Sequence, residues 1–77
     1  MTPEEIKQAI AAGLACEHIE VAGDGHHFEA VIVSAAFRGR NKVQQHQLVY
    51  GALGARMRED IHALSMQTLT PEEWAAR

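Results

Sequence analysis

An α+β fold with a three-stranded mixed sheet is predicted from three observations. The chain opens and closes on the same helix-start signature, Thr2-Pro3-Glu4-Glu5 and Thr70-Pro71-Glu72-Glu73. Two strand-like runs, His18 to Ala22 and His27 to Ser34, flank a Gly23-Asp24-Gly25 turn. A helical pattern then separates them from a third strand-like run, Ile61 to Leu69. The expected order is helix-strand-strand-helix-strand-helix.

In the opening signature Thr2 is placed to cap, Pro3 occupies the first helical position and Glu5 lies three residues after the cap. This pattern satisfies orphan amides and suits the helix dipole. Ile6, Ala9, Ile10 and Leu14 follow at spacings of three and four, and Gly13 marks the expected end. In the next run Ile19 and Val21 fall on one face and His18 and Glu20 on the other, as in a strand with one wet side. The glycines at 23 and 25 give the freedom of a tight turn, and the β-branched second run completes a hairpin.

The segment Phe37 to Lys42 reads as a loop. Beyond it Val43, His46, Tyr50, Leu53 and Met57 recur at helical spacing and define the expected inward stripe. Gly51 and Gly54 cost about 1 kcal/mol each relative to alanine, and a close approach of this helix to the sheet is their expected use. A strand-helix-strand crossover makes strands two and three parallel with a right-handed connection. His27 and His62 therefore start their strands at the same end of the sheet. Adjacent strands would set them about 5 Å apart across the sheet, and one intervening strand about 10 Å.

The 77 residues make a single domain, 1–77, with room for a modest core, and the 47% hydrophobic and 22% charged composition is that of an ordinary globular chain. A net charge of -3 excludes a wholly basic nucleic-acid surface and confines any such site to one edge. With one cysteine, Cys16, no internal disulfide can form. The N-terminus lacks the basic and long apolar regions of a secretory signal, so the cytoplasm is the expected compartment. No run approaches a membrane span. No nucleophile paired with a base, phosphate-binding glycine loop or carboxylate pair at usable spacing suggests an enzyme.

Two histidines are too few for a closed structural zinc site, which takes four ligands. Imidazoles exposed at one end of a sheet suit a cluster whose other ligands come from another protein; His26 and His27 as plain turn residues and His62 as a polar strand end is the simpler alternative. His46 falls on the expected inward stripe and reads as a packing histidine, His18 as solvated surface, and Cys16 as a small buried filler. Tyr50 and Trp74 read as packing anchors of their helices. Arg38, Arg40 and Lys42, three of the seven basic residues, flank Gly39 before the long helix, where cations and backbone amides can meet phosphate. Gly39-Arg40-Asn41-Lys42 lacks the second glycine of a GXXG clamp. Any nucleic-acid binding there is expected to be weak and to lose about 0.9 log units per phosphate contact for each tenfold rise in salt.

GDGHHF at 23–28, VIVSAAFRG at 31–39, VQQHQLVYGAL at 43–53 and the ending IHALSMQTLTPEEW at 61–74 together resemble the BolA family, and more closely its IbaG-like branch, over nearly the whole chain. The resemblance implies a fold similar to class II KH domains. It also implies partnership with a monothiol glutaredoxin, in which a [2Fe-2S] cluster is shared with the glutaredoxin cysteine and glutathione. The family ligand in the HAL triplet corresponds to His62. The second family ligand lies in the turn between strands one and two. Where several relatives carry a cysteine, four residues before the strand-two aromatic, this chain has Asp24, which leaves His27, His26 or the carboxylate itself; His27, which opens the strand, is the favoured one. Some family members are described as DNA-binding transcriptional regulators, so DNA or RNA binding through the basic loop is the alternative function.

Overall fold

In the computed structural model, which describes residues 1–55 and 63–77, each strand is built where alternation and β-branching place one. The elements are α1 (Pro3–Gly13), β1 (His18–Gly23), β2 (His27–Val33), a 3-10 turn (Ala35–Phe37), α2 (Lys42–Leu53), β3 (Ala63–Leu69) and α3 (Pro71–Ala76). Ile61, His62 and Met57 lie outside the described residues.

The three α-helices among the described residues all begin on reciprocal side-chain caps. Thr2 and Glu5 close α1, and Thr70 and Glu73 close α3, as their sequences predict. α2 has a third such box: Asn41 accepts from the Gln44 amide at 2.9 Å, and Gln44 accepts from the Asn41 amide at 3.0 Å. The Asn-x-x-Gln signal begins at Asn41, two residues before the predicted pattern starts at Val43.

The sheet has the order β1-β2-β3. β1 and β2 pair antiparallel, with Gly23 opposite Phe28 and His18 opposite Val33. β2 and β3 pair parallel, from His27 opposite Ala63 to Val33 opposite Leu69. The mixed sheet is thus the predicted one, with β2 and β3 adjacent. α1 and α2 cover one face, where Ile6, Ile10, Ile19, Phe28, Ala30, Ile32, Phe37, Val49 and Leu53 form the core. α3 lies against β3 at one end of the other face.

Three local expectations are corrected. The segment from Phe37 is not plain loop, because Phe37 is fully buried at the end of the 3-10 turn that Ser34 caps. The inward face of α2 consists of Gln45, Val49 and Leu53, whereas Val43 is 67% exposed and Tyr50 40%. Tyr50 therefore does not anchor the helix in the core. Gly51 faces open space and Gly54 ends α2 with φ 60°, so neither brings the helix to the sheet. The close approach occurs instead at Gly13, which stays within α1; a Cβ there would come within 2.9 Å of Ala52 on α2.

Among the described residues no helix is long and apolar enough to cross a membrane.

Candidate functional site

The hairpin tip is built by one carboxylate. Asp24 Oδ1 accepts from the backbone amides of His26 and His27, each at 2.9 Å, and the Asp24 amide donates to the His27 carbonyl at 3.2 Å. Gly25, with φ 99°, supplies the left-handed residue that the turn requires. The amides of His27 and then His26 hold the Asp24 carboxyl below its ordinary value. That carboxylate is committed to shaping the tip, which leaves His26 and His27 as the nitrogen donors of the turn. Both residues are exposed.

His27 opens β2 directly opposite Ala63, the first residue of β3. Neighbouring strands run about 4.8 Å apart. The parallel pairing is therefore the closer of the two arrangements considered from sequence. His62 precedes Ala63 in the chain and lies outside the described residues. Among the described residues no three His, Cys, Asp or Glu side chains stand together as a metal-binding group.

Cys16 belongs to the other end of the sheet. The Glu17 amide donates to the Val33 carbonyl at 2.8 Å, which places Cys16 about 20 Å from His27 at 3.3 Å per strand residue. Its thiol donates to the Leu14 carbonyl at 3.3 Å, and partial burial pushes its pKa up. It packs as a small filler against the core, as its sequence position suggested.

The loop cations all have partners within the chain. Arg38 forms a two-pronged pair with Glu72 on α3, Nε to Oε1 at 2.7 Å and Nη2 to Oε2 beside it. Each partner stabilises the other's charged form, raising the Arg38 pKa and lowering that of Glu72. The pair is exposed and contributes little to stability. Arg40 Nε donates to the Ala36 carbonyl at 3.1 Å, and Lys42 Nζ donates to the Thr68 carbonyl. The three cations fall within five positions in sequence but bond to three separate segments, α3, the 3-10 turn and β3. Gly39, with φ 75°, bends the loop between Arg38 and Arg40.

His46 is half-buried on α2. His18 is not the solvated surface residue expected: its ring stacks on Trp74 with centroids 4.5 Å apart, and Arg77 lies over the Trp74 ring at 3.4 Å. His18 Nε2 is 2.9 Å from Glu20 Oε1 and is shielded from solvent, yet it has no aligned hydrogen-bond partner. No spacing rule links His18 to Trp74, so sequence reasoning missed this stack.

A buried polar group was also missed. Gln45 Nε2 donates to the carbonyls of Phe37 and Arg40 at 3.1 and 2.9 Å, and the Thr68 hydroxyl donates to Gln45 Oε1 at 2.7 Å. One glutamine thereby fixes the basic loop to both α2 and β3.

The BolA-like protein family matches residues 6–73. The chain is 37% identical over 76 residues to the acid stress protein IbaG of Escherichia coli strain K12, covering 97% of this chain and 90% of that protein. It is 45% identical over 60 residues to the DNA-binding transcriptional regulator BolA of Haemophilus influenzae, covering 78% of this chain and 58% of that protein. The structure is similar to that of a BolA protein homologue from Coxiella burnetii, with a TM-score of 0.89, 47% identity and 97% of each chain covered.

Proposed function

The chain belongs to the BolA family, and from that premise we propose that it is a non-catalytic adaptor that partners a monothiol glutaredoxin to bind, transfer or sense a [2Fe-2S] cluster. The observation that carries this reading is the parallel register of β2 and β3. It sets the exposed His27 opposite Ala63, the residue that follows His62 in the chain. Imidazole nitrogen is a suitable donor for such a cluster, and the hairpin presents it at a strand start held by a committed carboxylate. His62 and His27 are the ligands in this reading, with His26 the alternative at the turn. Asp24 orients the two turn histidines through their amides. The cluster carries electron-transfer capacity, and imidazole in place of thiolate raises its potential. The glutaredoxin cysteine and a glutathione thiol complete the ligand set.

The test is a titration of the protein into cluster-loaded monothiol glutaredoxin, followed by visible absorption and circular dichroism, with apo-heterodimer formation measured in parallel by calorimetry. Wild type changes the spectrum. His62→Ala abolishes that change and His27→Ala weakens it, both with heterodimer formation retained. An unchanged spectrum in wild type sinks the reading; a change that persists in His62→Ala removes that ligand.

A second reading rests on the DNA-binding name of the Haemophilus influenzae relative and on the exposed Arg38, Arg40 and Lys42. In it these cations contact the phosphates of DNA or RNA. Duplex binding that is steep in salt and lost on neutralising all three supports it, and binding indifferent to both opposes it.

A further inference from the structure

Among the described residues β3 is an edge strand, bonded to β2 on one side only. Successive peptide groups along a strand point to alternate sides. The Leu69 carbonyl accepts from the Ser34 amide at 3.0 Å, on the β2 side. The Thr68 carbonyl therefore points outward, and Lys42 Nζ donates to it there. The amides and carbonyls of Leu64 and Met66 share that outer side. Among the described residues no other side chain is hydrogen-bonded to this edge.

Edge strands are ordinarily protected by charge, proline, bulges or a covering element. β1, the opposite edge, carries Glu20 and ends at Gly23. β3 reads Ala-Leu-Ser-Met-Gln-Thr-Leu and has no charge, glycine or proline. Its protection comes from outside the strand, as the ammonium of Lys42.

Independently of the reading above, we propose that the outer edge of β3 pairs antiparallel with β3 of a second copy of this chain, and that Lys42 limits this pairing by occupying the Thr68 carbonyl. A two-fold axis at Met66 sets Met66 opposite itself and Leu64 opposite Thr68, so that the outward backbone groups of all three become hydrogen-bonded pairs. The exposed Ser65 side chain then faces Gln67 of the second copy on the sheet face opposite the buried Thr68. Every cross-strand pair is uncharged, so no like charges meet. In this register the Thr68 carbonyl accepts from the Leu64 amide of the second copy. The lysine and the second strand compete for one acceptor.

The test is sedimentation velocity over a concentration series with wild type, Lys42→Met, and Lys42→Met combined with Ser65→Lys and Gln67→Lys, alongside amide exchange of Leu64 and Met66. Lys42→Met associates at least tenfold more tightly than wild type and gains concentration-dependent protection at Leu64 and Met66. The added lysines set like charges opposite each other at exposed positions and return it to monomer. Wild type at high concentration shows the same two amides protected, a readout that does not depend on any variant folding. The proposal is overturned by Lys42→Met sedimenting as wild type, by a dimer that survives the two added lysines, or by Leu64 and Met66 exchanging freely at every concentration.

Discussion

Asp24 binds two successive amides with one oxygen, and its ionisation is thereby tied to the shape of the hairpin tip. Its folded pKa is lowered from an ordinary 3.8, so the stabilisation it gives is fully present above that value and disappears as pH falls through the lowered one. A carboxyl titration followed by NMR is expected to show the Asp24 midpoint below 3.8, and Asp24→Ala to speed amide exchange at His26 and His27. A midpoint at or above the ordinary value would show that the amides do not hold the carboxylate. At this scale the sequence located the turn, the histidines and the cations, because identity and spacing mark them. It did not locate their partners. Lys42 reaches Thr68, 26 positions away, and His18 meets Trp74 across the width of the fold. Such contacts have no local signature.

Among the elements, α2 is the one whose orientation was misread. Val43, His46, Tyr50 and Leu53 have helical spacing, but the helix turns Gln45, Val49 and Leu53 inward. Gln45 hides the true stripe, because a polar residue at a core position looks like surface in any hydrophobic pattern. Burial is tolerable because its amide reaches two carbonyls and accepts a hydroxyl proton. Thr68→Val keeps the shape of the side chain and removes that hydroxyl, leaving Gln45 Oε1 without this donor. The expected cost is about 1 to 3 kcal/mol, read as a lower urea midpoint at unchanged slope. A neutral result would mean that the pair contributes nothing net. Gly23 shows the same dependence on close neighbours: a Cβ there would come within 2.4 Å of the His27 carbonyl oxygen, so the tip tolerates no side chain without moving β2.

At the scale of the whole molecule, one sheet has one well-covered face and one partly covered face. α1 and α2 enclose the core, while α3 and the stacked His18 and Trp74 close one end of the other face. A chain of 77 residues has a net stability of about 3 to 5 kcal/mol. Phe37 is fully buried in the core cluster, and a buried Phe→Ala change costs about 3 to 5 kcal/mol. Phe37→Ala is therefore expected to leave the chain largely unfolded at 25 °C, measured by far-ultraviolet circular dichroism and loss of a cooperative thermal transition. A cooperative transition near the wild-type temperature would show that the core closes without this ring.

The sequence by itself determined the order and type of the α-helices and strands, the hairpin, two of the three capping boxes and the parallel β2–β3 pairing. Each follows from interactions within a few residues or from the chirality and reach of the chain. The tertiary structure alone decided which face of α2 turns inward, that Gly13 rather than Gly51 marks the close helix contact, that Asp24 is a scaffold for the turn, and that Lys42 guards a strand edge. These depend on atoms brought together from distant positions. Close packing and the demand that every buried polar group find a partner select among faces and rotamers that sequence periodicity leaves equivalent.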